Sequence, residues 1–133
     1  SEGDKLWCVF DADQNKNENI QKAIKMAGKK VEIILSNPCF ELWLLLHFAY
    51  WESRLSNNDV LQKLEKYIPG YSKTKDVFAD ILNNRESAIR NAKKLNRYHL
   101  DNGVELISVD SNPSTQVFKI VEHILELETA KSS

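Results

Sequence analysis

The apolar positions of this chain change their spacing from one segment to the next, and each change marks an element. Leu6-Trp7-Cys8-Val9-Phe10 is unbroken, contains aromatic and β-branched residues and stops at Asp11. So short a run without helical spacing predicts a central, parallel strand covered on both faces. Asp13 or Asn17 then caps a helix in which Ile20, Ala23, Ile24 and Ala27 recur at three- and four-residue intervals, and Gly28 ends it. Val31-Glu32-Ile33-Ile34-Leu35 predicts the next strand and completes a β-α-β unit.

Ser36-Asn37-Pro38 predicts a helix start, with Asn37 as N-cap and Pro38 in the first helical position, where its missing N–H is harmless. The helix expected from Cys39 to Tyr50 is apolar on most sides, through Phe40, Leu42, Trp43, Leu44, Leu45, Leu46 and Phe48, and should be mostly buried. Polar helical spacing follows. Val60, Leu61 and Leu64 support one helix, Val77, Phe78, Ile81 and Leu82 a second, and Ala88, Ile89, Ala92 and Leu95 a third, with Pro69-Gly70 between. Together they predict a helical insertion over residues 52–100. Val104 to Val109 alternates apolar and polar residues, as a strand with one exposed side would. Asn112-Pro113 repeats the helix-start signal, and Val117, Ile120, Val121, Ile124 and Leu125 form the stripe of a last helix. Strands that each lead into a loop and a helix predict one α/β domain over residues 1–133, with a parallel or mostly parallel small sheet. Such a sheet is narrow, and a further strand is expected before Leu6.

Composition narrows the function classes. Hydrophobic residues make up 42% and charged residues 28%, as expected of a water-soluble globular protein. Lys and Arg number 18 against 19 Asp and Glu, so the chain lacks the basic excess of a non-specific DNA coat. That balance leaves room for an enzyme that contacts a few phosphates through a local patch and a metal ion. The apolar stretch from Phe40 to Phe48 is broken by Glu41 and His47 and is too short to cross a bilayer. No secretory leader is evident, and Cys8 and Cys39 are expected as free thiols in a reducing compartment, so the expected location is the cytoplasm, away from membranes.

The candidate chemistry begins at Asp11-Ala12-Asp13. Carboxylates two residues apart after an apolar strand can both point into the crevice beyond its carboxyl end. They repel unless a cation bridges them, and Mg²⁺ suits such ligands best. Equally, Asp11 can cap a turn and Asp13 the next helix. Glu41 lies one helical turn after Asn37-Pro38 among apolar neighbours, so it must meet a metal, a base or a backbone donor. His47 is six positions further and His99 and His123 lie in other elements, which argues against zinc. Asp110-Ser111-Asn112-Pro113-Ser114-Thr115 offers Asn112, Ser114 and Thr115 for a phosphate at a helix start, or serves as an ordinary cap. Arg90, Lys93, Lys94 and Arg97 share one helical face that either tracks a phosphate backbone or is simply solvated, and Lys73 beside Tyr71 is a further phosphate contact. Neither a dinucleotide fingerprint nor a phosphate-binding Gly-Lys-Ser/Thr loop is present.

The sequence Val9-Phe10-Asp11-Ala12-Asp13, then Ser36-Asn37-Pro38-Cys39-Phe40-Glu41-Leu42-Trp43, then Tyr71-Ser72-Lys73, Ala88-Ile89-Arg90-Asn91-Ala92 and Asn112-Pro113-Ser114-Thr115, resembles the RloB-like proteins. The resemblance covers nearly all of the chain. It implies a Toprim-like fold, with Asp11 and Asp13 matching the Asp-x-Asp metal ligands of Toprim nucleases. It also implies a link to restriction or abortive infection, hence antiviral defence, and an ABC-type ATPase as partner. Family members carry an upstream strand ending in a glutamate that handles a proton, and Glu2 is too close to the first strand here to stand in for it. The chain therefore resembles their carboxyl-terminal portion.

The function expected is Mg²⁺-dependent phosphodiester hydrolysis, with Asp11, Asp13 and Glu41 as catalytic acids, Asp11 and Asp13 as metal ligands, and nucleic acid bound through Lys73, Arg90, Asn112, Ser114 and Thr115. Two alternatives stand beside it. One is a non-catalytic module that docks an ATPase, and the other is a phosphatase in which Asp11 attacks phosphate and Asp13 protonates the leaving group. Homo-oligomerisation is a further expectation, since narrow sheets and apolar helices often find mates.

Overall fold

The computed structural model describes residues 6–14, 17–27 and 31–132. Its elements in chain order are β1 (Leu6–Asp11), α1 (Asn17–Ala27), β2 (Val31–Asn37), α2 (Glu41–Leu45), α3 (Asn57–Glu65), α4 (Phe78–Ile81), α5 (Arg85–Asp101), β3 (Ser114–Thr115) and α6 (Phe118–Ser132). Short 3₁₀ turns cover Ala12–Gln14 and Leu82–Asn84. The result is an α/β fold with a small mixed sheet, flanking helices and a helical insertion, consistent with Toprim-related architecture. Among the described residues no helix is long and apolar enough to cross a membrane.

The sheet has the order β1-β2-β3. β1 and β2 are parallel, with Asp11 opposite Ser36, as expected of a β-α-β unit. β2, not β1, is the central strand: Ile33 to Asn37 are buried, whereas Leu6 and Val9 of β1 are exposed. The apolar run at Leu6 to Phe10 therefore belongs to an edge of the described sheet. Behind it, Ile20 of α1 packs with Ala12 and Leu35 in a small second cluster. Asn17 opens α1, so the position of its cap lies outside the described residues, as does the expected stop at Gly28.

Both Asn-Pro pairs depart from the expected helix starts. β2 runs through Asn37, the Asn37–Pro38 bond is cis, and α2 begins only at Glu41 and ends at Leu45. The Asn37 side chain does not cap α2. Its amide donates to the carbonyls of Ser108 (3.0 Å) and Val109 (3.1 Å). The segment expected to be a strand, Val104 to Val109, is instead a series of bends and turns. Its carbonyls are satisfied by side chains, with Ser108 Oγ donating to Glu105 O and Ser111 Oγ to Leu106 O, so it has no need of a ladder. The third strand comes later. Ser114 and Thr115 pair antiparallel with Asn37 and Ser36, and α6 starts at Phe118, not at Asn112-Pro113.

The buried residues from Cys39 to His47 form the centre of the main core, as their composition predicts. Leu42, Leu45 and Leu46 meet Val60 and Leu64 of α3, Ala88, Ala92 and Leu95 of α5 and Phe118 of α6. The three helices of the insertion appear where periodicity placed them. α3 opens with a reciprocal capping box, Ser56 Oγ accepting from the Asp59 N–H while the Asp59 carboxylate accepts from the Ser56 N–H.

Candidate functional site

Asp11 ends β1 and Asp13 sits in the 3₁₀ turn that follows, so both carboxylates emerge at the carboxyl end of a parallel pair of strands. The turn is held against the loop after β2 by the Asp13 N–H, which donates to Pro38 O at 3.0 Å. That bond brings the start of α2, with Glu41, to the same corner. Asp11 is half-buried and Asp13 exposed, while Glu41 is buried.

The electrostatics tie these groups together. Burial pushes the Asp11 carboxyl above its ordinary value, and the negative charges of Asp13 and Glu41 push it the same way, against the Lys73 ammonium and the Phe40 N–H. For Glu41, burial raises the carboxyl, but hydrogen bonds from Tyr71, Lys73 and its own N–H outweigh it and hold the group ionised below its ordinary range. Tyr71 Oη donates to Glu41 at 2.7 Å and Lys73 Nζ at 3.1 Å. The Lys73 side chain is otherwise 74% exposed, so its charge also faces solvent. Cys39, beside Glu41, is pushed up to about 12 by burial and stays a thiol. Both cysteines are free.

On the other side of Asp13 lies a cleft of about 730 Å³, walled by the turn at Ala12 and Asp13, by Asn37 and Pro38, and by residues 54–59 at the start of α3. Asn57 Nδ2 donates to the Asp13 carboxylate across this wall. Asn57 Oδ1 is sealed from solvent and has no hydrogen-bond partner. Arg54 is exposed, lines the cleft and makes no ion pair with any described residue. Among the described residues, no group of three or more His, Cys, Asp and Glu side chains is arranged to hold a metal ion.

Residues 1–124 match the family described as RloB-like protein. The chain belongs to this family. No curated protein and no solved structure matches it.

Of the residues singled out in this RloB-like chain, the fold therefore unites Asp11, Asp13, Glu41 and Lys73. Asn112 also lines the cleft, but its amide is occupied at both ends, accepting from the Leu55 N–H and donating to Leu55 O, each at 2.8 Å. Ser114 and Thr115 lie buried in β3, where Thr115 Oγ1 bonds Ser36 Oγ at 2.7 Å and Ser114 Oγ donates to Ser111. They therefore do not form the helix start that the sequence suggests. Arg90 is exposed on α5 and does not line the cleft. On the same helix Lys93 pairs with Glu122, Lys94 lies over the Tyr50 ring and Arg97 pairs with Asp101, so most of this basic face is committed within the chain. His47 is buried, its Nδ1–H donating to Trp43 O, and burial depresses its pKa, as befits a neutral structural histidine.

Sequence reasoning missed Asn57 and Arg54. Ser56-Asn57-Asn58-Asp59 carries a capping-box signal that places the start of α3, yet nothing local says that this start faces a carboxylate 44 positions earlier.

Proposed function

We propose that this chain carries the metal-binding part of a Mg²⁺-dependent phosphodiesterase acting on nucleic acid in a restriction-linked or phage-defence system. The observation that supports it best is the crowding of negative charge at the end of β1, where the Asp11 carboxyl, raised first by burial, is pushed further upward by Asp13 and Glu41. Family membership points the same way, since the RloB-like proteins resemble metal-dependent Toprim enzymes. Asp11 and Asp13 fit a Mg²⁺ site of the usual open kind, one or two carboxylates with water completing the shell.

When bound, the ion would polarise a phosphoryl oxygen and lower the pKa of a coordinated water. The chain's own residues have separable tasks. Asp11 and Asp13 hold the ion, and the ion pair with Lys73 fixes Glu41 as an anion beside Asp11. Lys73 and Arg54 present cationic groups to a phosphate backbone, Arg54 from the wall of the cleft. The expected ABC-type ATPase is kept as the proposed partner.

Isothermal titration with Mg²⁺ tests the reading, together with hydrolysis of end-labelled DNA and RNA oligonucleotides. Binding should weaken by about tenfold or more in Asp13→Asn, a loss of ~1.4 kcal/mol or more. Equal binding by both proteins would remove the metal site. The chain would then be better described as a non-catalytic docking module.

A further inference from the structure

We infer that Asn57, contributed by the helical insertion, supplies an oxygen ligand to the cation held by Asp11 and Asp13. The inference rests on the metal-site reading above and adds to it a residue from a different part of the fold.

The Asn57 carboxamide touches Asp13 directly, its Nδ2 donating to the Asp13 carboxylate. The other end of the same amide, Oδ1, is shut off from solvent without a donor. Buried acceptors in native proteins are satisfied in the great majority of cases, so a lone one beside a cluster of acids calls for an explanation. The sealed end holds no hydrogen bond, so turning the amide breaks none there. An ion on Asp13 sits one contact from this amide, repels an N–H directed at it and attracts a carbonyl oxygen. A half-turn of the carboxamide exchanges the two ends while leaving the backbone of α3 in place.

The chemistry of the ligand set agrees. Mg²⁺ takes hard oxygen ligands, and an amide oxygen adds to two carboxylates without adding negative charge. At this corner a third acid would aggravate the repulsion already felt by Asp11, and Glu41 is committed to Tyr71 and Lys73. A neutral ligand avoids adding to that repulsion while the cation is absent. It comes from a rigid source, because Asn57 opens α3 directly behind the Ser56–Asp59 capping box.

The experiment counts bound Mn²⁺ by electron paramagnetic resonance, with Mg²⁺ as competitor, on the full chain and on Asp13→Asn, Asn57→Leu and Asn57→Asp. Melting in chelator reports whether each variant folds. We expect Asn57→Leu, similar in size but without a ligand atom, to weaken Mn²⁺ binding by about tenfold. Asn57→Asp, which retains an oxygen, should bind at least as tightly as the parent chain. Parent-like affinity in Asn57→Leu, with binding lost in Asp13→Asn, would overturn the role of Asn57 and leave the Asp pair standing. Equal weakening in both Asn57 variants would reduce Asn57 to a donor that orients Asp13 and also overturn its role as ligand. Failure of the parent chain itself to bind Mn²⁺ would overturn both this inference and the reading beneath it.

Discussion

Glu41 shows what a buried carboxylate beside the candidate site requires. A buried carboxylate survives only with partners, and here a phenol, an ammonium and a backbone N–H supply them. The same contacts give the fold a pH signature. Held below its ordinary 4.5, Glu41 stays ionised in the folded chain where the unfolded chain takes up a proton, so its contribution is complete above that value and is lost as pH falls below it. His47 adds a loss that begins earlier. Its pKa is depressed below the ordinary 6.5 by burial, so the folded chain keeps it neutral while the unfolded chain charges, and stability declines as pH falls through 6.5. Asp11 runs the opposite way, because burial and its acidic neighbours raise it, so the folded chain gains from protonation there. Urea midpoints measured at about pH 8 and about pH 5.5 should therefore differ in the parent chain and differ less in His47→Gln, and an unchanged difference would show that His47 is not the group that titrates.

At the scale of elements, side-chain amides do work that strands and caps were expected to do. Asn37 donates to two consecutive carbonyls of the irregular segment after α5 and so fixes that segment beside the end of β2. Asn37→Ala should cost about 1–3 kcal/mol in a urea titration, because the half-buried Val109 carbonyl loses its donor and the Ser108 carbonyl keeps only the Ser111 hydroxyl. A change near zero would mean that water replaces the amide without penalty. This arrangement also explains what could be read from the sequence. Helices α1, α3, α5 and α6 and strands β1 and β2 announce themselves by spacing, because each buries one face against a shared core. An Asn-Pro pair is ambiguous, since the Asn can cap the following helix or reach across the fold, and at both positions it reaches across. The alternation from Val104 to Val109 also misleads, for the polar Ser108 is the buried position there, its hydroxyl bonded to Glu105 O, while Leu106 and Ile107 are both half-buried. Within the candidate site, Asp11 and Asp13 were legible because their relation is local. Asn57 and Arg54 reach it only through the packing of α3, which no spacing along the chain encodes.

For the molecule as a whole, the arrangement of the site depends on whether the insertion and the sheet behave as one body. The main core argues that they do, since Ile34 of β2, Leu42 and Leu45 of α2, Val60 and Leu64 of α3 and Leu95 of α5 belong to one buried cluster. The tryptophans offer reporters on each side. Trp7 lies on β1 near His123, and Trp51 precedes α3 under the Lys63 ammonium. In chains that keep only one of these two, with Trp43 replaced by Phe in both, urea unfolding should give a single shared midpoint. Leu64→Ala, a substitution confined to the insertion, should lower both midpoints together by about 2–5 kcal/mol in stability, as expected for a core leucine that leaves a cavity. If Trp51 reported an earlier transition that Trp7 does not share, the insertion would be an independent unit. Asn57 and Arg54 would then ride on a part able to leave Asp13 while the sheet stays folded, and the proposed cation site would be complete only when the two parts are closed together. A shared midpoint instead makes the distance from Asn57 to Asp13 a property of the folded core, so metal affinity should stay constant along a series of core substitutions until the unfolded fraction becomes appreciable.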